Sequence, residues 1–134
     1  MKFQTILLAL IAALLGGCAN LGSSRLPESA AYIKLVGLSS PKLIVRTPEL
    51  RSKTSGLELG GVVVMAFGAN TTEHTHLTIS FYDQAEQILQ SAEVDFAPRK
   101  LNSYRRSLIH RGHYKFPIAS LPPGTIRIEV RAHE

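Results

Sequence analysis

The 134-residue chain has a single cysteine, Cys18, which excludes an intramolecular disulfide. It has no apolar run of the roughly 20 residues that a bilayer-spanning helix needs; its longest, residues 6–15, falls well short. Signatures of catalysis are missing too. There is no Gly-x-Ser-x-Gly elbow, no phosphate-cradling glycine loop, no Ser-x-x-Lys with its usual partners, no His-Glu-x-x-His, no Cys-x-x-Cys and no methionine-rich copper pattern. Glycoside cleavage needs two facing carboxylates, yet among the ten acids Asp83 and Glu86 fall in a turn, and Glu93 and Asp95 on an outward strand face. A non-enzymatic protein without a cofactor is therefore expected. Acids are also absent between Asp95 and Glu129, where cations are plentiful. No repeat, low-complexity tract or convincing amphipathic helical period follows Cys18.

What is present is strand pattern. Residues 74–82 alternate, with Leu77, Ile79 and Phe81 on one face and His76, Thr78, Ser80 and Tyr82 on the other. Residues 124–133 do the same, sending Ile126, Ile128 and Val130 inward and Arg127, Glu129, Arg131 and His133 outward. In residues 87–96 the inward set is Ile88, Ala92, Val94 and Phe96, and Pro98 ends the strand. Residues 61–67 are apolar on both parities, as in a strand near the centre of a two-layer structure or crossing between layers, and the Gly60-Gly61 pair before them suggests a bulge. Residues 32–38 and 42–46 are shorter candidates separated by Ser39-Ser40-Pro41, and a seventh strand is expected within residues 104–116, interrupted at Gly112. Residues 83–86 and 117–124 carry turn chemistry.

The first eighteen residues differ in kind. Lys2 gives a positive flank, residues 6–15 an apolar core, and Leu15-Gly16-Gly17-Cys18 a small-residue end immediately before a cysteine. This stretch resembles the lipobox signal peptide of bacterial lipoproteins. The resemblance implies cleavage before Cys18, lipidation of Cys18 with a diacylglyceryl thioether and an acylated amine, and a membrane partner reached through that anchor. Two or more acyl chains hold a protein stably on a membrane, at about 0.8 kcal/mol per buried methylene. Ala19 stands where an aspartate retains enterobacterial lipoproteins at the inner membrane, so the expected location is the outer membrane, facing the periplasm. Residues 1–17 are then signal peptide, 18–30 a lipidated cysteine and flexible Ser/Gly/Asn/Ala-rich tether, and 31–134 one domain.

Leu121-Pro-Pro-Gly-Thr125 ahead of the last alternating strand resembles the Leu-x-Pro-Gly-Thr turn of fibronectin type III and related Ig-like sandwiches. The expected fold is all-β: a single Ig-like or transthyretin-like antiparallel sandwich of about seven strands.

Two constellations could carry function. His74 and His76, at i and i+2 of a strand, would project to one side and could jointly ligate zinc or copper, with Glu73, His110, His113 or His133 completing the set. The second is a basic stretch of Arg99, Lys100, Arg105, Arg106, Arg111 and Lys115, with His110 and His113 interspersed. It suits lipopolysaccharide phosphates, anionic headgroups or peptidoglycan carboxylates through charge-assisted hydrogen bonds. The expected compartment excludes nucleic acid. The leading expectation is an accessory or assembly module that binds another envelope protein or an anionic envelope surface; the alternative is a periplasmic metal-binding protein using the His-x-His pair.

Overall fold

A side chain period of two lets each strand bury one face, and two such sheets laid face to face bury both. The computed structural model, which describes residues 25–102 and 110–134, has this arrangement. A one-turn helix α1 (Glu28–Ala31) leads into β1 (Lys34–Leu38), β2 (Leu43–Val45), β3 (Glu49–Lys53), β4 (Gly56–Met65), β5 (His76–Tyr82), β6 (Ile88–Val94), β7 (Phe96–Ala97), β8 (Arg111–Ile118) and β9 (Arg127–His133). The first sheet runs β1-β9-β5-β6 and the second β2-β4-β8-β7, with β3 also paired to β4. The described residues thus form nine strands instead of about seven. One pair, β1 with β9, is parallel, which corrects the expectation of an entirely antiparallel sandwich.

The core lies between the sheets. Leu77, Ile79, Phe81, Ile128 and Val130 of the first sheet and Leu43, Leu59, Val63, Phe96 and Tyr114 of the second are almost completely buried in one cluster. Each such side chain contributes about 1.5–3 kcal/mol through apolar area removed from water. The inward sets of β5 and β9 are as expected, with two exceptions. Ile126 is 45% exposed, because it precedes β9 at the exit of the turn. Glu129 keeps the outward side but is almost buried there, its carboxylate accepting hydrogen bonds from Arg131 Nε (3.1 Å) and Nη2 (2.8 Å).

Residues 87–96 do not form one half-buried strand. The register shifts opposite Phe81 and Tyr82, Ile88 is 58% exposed, and the chain leaves the first sheet after Val94 so that Phe96 enters the second. Such a shift moves side chains to the other face. Asp83 organises the preceding turn, its Oδ1 accepting from the backbone N–H groups of Ala85 and Gln87, both at 2.9 Å.

Residues 61–67 belong to β4 up to Met65, and β4 is indeed central, flanked by β8 on one side and by β2 and β3 on the other. Phe67 lies beyond its end and is fully exposed. The Gly60-Gly61 pair forms no bulge: both residues keep a continuous register with β8. Gly61 points inward, where a Cβ would collide with the hydroxyl of Tyr114 and stand 2.7 Å from its Cζ. Gly112 likewise does not interrupt β8; a Cβ there would lie 2.7 Å from the Phe96 ring. Both glycines leave room for a facing aromatic ring. At the N-terminal side, Ala30 is buried and Leu26 packs on the core, so the stretch expected as a tether ends in packed structure. Among the described residues no helix is long and apolar enough to cross a membrane.

Candidate functional site

The outer face of the second sheet carries the site, and strand alternation places its residues. On β8 the even positions Gly112, Tyr114, Phe116 and Ile118 turn to the core, which puts Arg111, His113 and Lys115 outside. On β4 the outward set is Glu58, Gly60, Val62 and Val64, and on β3 it is Glu49, Arg51 and Lys53. Register then brings them together: Lys115 stands opposite Gly60, His113 opposite Val62 and Arg111 opposite Val64, while Gly60 on its other side faces Glu49. Arg46, just past β2, is tied to the same strand by its N–H donating to Val62 O at 3.0 Å.

The result is an open groove of about 630 Å³ with a floor of Gly60, Val62 and Val64 and a rim of charges. Gly60 deepens the floor simply by having no side chain. Its two acids are already engaged. Glu49 accepts a hydrogen bond from Arg51, which together with the carboxylate's charge raises the Arg51 pKa above its ordinary value. Glu58 pairs with Lys53 at 3.5 Å. Arg46, Arg111 and Lys115 make no ion pair among the described residues. At about 3.4 Å per residue, Arg111 and Lys115 are roughly 14 Å apart along their strand. The groove can therefore receive negative charge, and at more than one point.

The six cations of the basic stretch divide. Arg111 and Lys115 are on the rim of the groove, and His113 and His110 line it. Arg99 is not there: its guanidinium lies 4.9 Å from the Phe96 ring centroid and donates to the carbonyls of Glu73 (3.1 Å) and Thr75 (2.8 Å) and to Asp95 (3.3 Å). It clasps two loops, beside a buried Thr72 hydroxyl that donates to Arg99 O and accepts from Leu101 N. Lys100 pairs with Glu73 at 3.5 Å. Arg105 and Arg106 lie outside the described residues. Sequence reasoning missed Arg46 and Arg51. The alternation Glu49-x-Arg51-x-Lys53, followed by Thr54-Ser55 and then Leu57-Glu58-Leu59, was the available sign of a charged-faced hairpin.

His74 and His76 do not share a strand face, because His74 sits in the turn before β5 and is exposed. His76 instead stacks on His133, its cross-strand partner, with centroids 4.9 Å apart and planes 16° from parallel. No three His, Cys, Asp or Glu side chains gather as a metal-binding group among the described residues. Tyr114 is the remaining unusual group. Its hydroxyl is buried without a hydrogen-bond partner among the described residues, and burial pushes the phenol's pKa up.

The chain matches no protein-family model, no curated protein and no solved structure. What the groove can do follows from its own chemistry.

Proposed function

We propose that this protein is a non-enzymatic envelope lipoprotein, an Ig-like or transthyretin-like sandwich anchored through Cys18 to the periplasmic face of the outer membrane, whose basic groove docks an anionic envelope surface. The observation that carries the binding reading is the set of three cations that make no ion pair among the described residues, Arg46, Arg111 and Lys115, around an apolar floor. Unpaired guanidinium and ammonium groups favour phosphate and carboxylate oxygens, and arginine does so with two parallel donors. Their spacing favours a surface or polymer bearing many anionic groups over a single small ion, since charges farther apart than a Debye length, about 8 Å at physiological salt, act almost independently.

Among the described residues the buried members of the core cluster fall within residues 30 to 132, so residues 25–134 are the segment in which to test binding. Cosedimentation with purified sacculi and with lipopolysaccharide should show binding that falls steeply as salt rises. Reversing Arg111 and Lys115 to Glu should weaken it by at least about tenfold, the equivalent of ~1.4 kcal/mol. The exposed Lys34, reversed to Glu on the other sheet, should change it little. Equal losses from both variants would reduce the effect to net charge and remove the groove from the account.

Anchoring has its own test. Cys18→Ser in the whole chain should abolish acylation and either release the protein into the soluble periplasmic fraction or leave an uncleaved precursor. A variant that is still processed and stays on membranes through a high-salt wash would rule out the lipid anchor.

A further inference from the structure

The chain enters the domain at one end of the sandwich. α1 leads into Lys34, whose N–H donates to Ile126 O at 2.9 Å, and the N–H of Ile126 donates to Tyr82 O at 2.9 Å. Tyr82 in turn pairs with Ile88. The starts of β1, β9 and β6 and the end of β5 therefore lie in one row, about 14 Å across at roughly 4.8 Å between strands. The second sheet ends at the same level, where a cleft of about 550 Å³ joins Pro27 and Ser29 to Lys53 and Gly56 at the β3–β4 turn and to Leu121 and Pro122 after β8.

This end holds most of the apolar surface that the fold leaves open. Of the five large apolar side chains exposed among the described residues, Tyr32, Ile88, Leu89 and Ile126 belong to it, and only Phe67 to the opposite end. Residues 117–126 carry no charge. The charges that are present balance: Arg25 and Lys34 stand against Glu28 and Asp83, Arg127 pairs with Glu86 at 2.6 Å, and Lys53 pairs with Glu58 at 3.5 Å.

Chain length decides which end can reach a membrane. Seven peptide steps separate Cys18 from Arg25, and a chain spans at most about 3.6 Å per residue, so Arg25 stays within roughly 25 Å of an anchored Cys18. β4 runs from this end to the other in ten residues, about 31 Å at 3.4 Å per residue. The Phe67 end is thus out of reach.

We propose, resting on the lipid-anchor reading above, that the end bearing Tyr32, Ile88, Leu89 and Ile126 lies against the bilayer that holds Cys18. Apolar area leaves water there without any charge being stripped of it, and tyrosine suits a boundary that is apolar on one side and wet on the other. The contact holds the sandwich upright. Arg111, at the far end of β8, is then carried away from the membrane, so the basic groove opens towards the periplasm.

The acylated chain, purified from membranes in detergent and reconstituted in vesicles of phosphatidylethanolamine and phosphatidylglycerol, gives the test. Cys18 is the one cysteine and its sulfur is taken by lipid, so an introduced cysteine carries the only fluorophore. A probe at Ser120→Cys, exposed in the loop after β8, should be quenched by nitroxide-bearing lipid at least about threefold more than one at Asn70→Cys, exposed beyond β4, because interfacial apolar groups sit only about 5–10 Å into the headgroup boundary. High salt should leave that difference standing. Combining Tyr32→Ser, Ile88→Ser and Ile126→Ser, all at exposed positions, should lower quenching at Ser120→Cys to the Asn70→Cys level, whereas Phe67→Ser should not. Flotation with the vesicles keeps the two readings apart. A protein that floats but is quenched equally at both positions, loses the difference in salt, or ignores the triple substitution overturns the membrane-facing end and leaves the anchor intact. One that does not float removes the anchor, and the membrane-facing end with it.

Discussion

Replacing Ile128 with Asp should leave residues 25–134 without a cooperative unfolding transition. Ile128 is wholly buried at the centre of the first sheet, opposite Phe81 on β5 and Leu35 on β1. A carboxylate there loses water and gains no partner, and an uncompensated buried charge costs about 3–5 kcal/mol before the lost packing is added. Domains of this size have only about 5–15 kcal/mol to lose. The neighbouring Arg127→Asp should be milder. Arg127 points outward, lies over the Tyr82 ring at 4.2 Å and pairs with Glu86 at 2.6 Å, so its loss should cost about 1–2 kcal/mol. Far-ultraviolet circular dichroism and urea titration of the two variants measure the difference. Similar midpoints would mean that the inward and outward faces of β9 are wrongly assigned.

Two adjacent glycines should respond to alanine differently. At Gly61 the added methyl would push into the Tyr114 ring and hydroxyl, and overpacking of this kind costs about 1–3 kcal/mol. At Gly60 the nearest atom to a Cβ is the Tyr114 carbonyl oxygen at 3.3 Å, so the backbone entropy saved on replacing glycine roughly offsets the tight contact. Gly60→Ala should thus leave stability nearly unchanged, although it raises the floor of the groove. Tyr114→Phe removes the hydroxyl, which is the atom nearest the Gly61 position and is buried without a partner among the described residues, so in a double-mutant cycle it should recover part of the Gly61→Ala loss. Additive losses in urea titrations would show that the hydroxyl and the methyl do not compete for space.

The fold class and several of its parts were legible in the sequence for a local reason. β5 and β9 each repeat an apolar residue at every second position, and that period depends only on neighbours along the chain. The same is true of the turn at Asp83, where a short side chain reaches backbone N–H groups two and four residues on. β6 was harder to read: its composition permits a half-buried strand, but the register shift and the lack of a covering layer leave Ile88 in water. The glycines at 61 and 112 looked like a bulge and a break because a sequence does not show which ring will need the space.

The candidate site separates the two levels most clearly. Sequence alone determined that β strands would present cations, and it named Arg111 and Lys115 by their place in an acid-free stretch. Only the tertiary structure decided that Arg99 would be spent on the Glu73 and Thr75 carbonyls, that Lys100 would pair with Glu73, and that Arg46 and Arg51, about sixty residues earlier, would share the groove with β8. Outward orientation is fixed by the period of two within one strand, whereas partners and neighbours are fixed by register between strands far apart in the chain. A pattern read along one strand carries the first kind of information and none of the second.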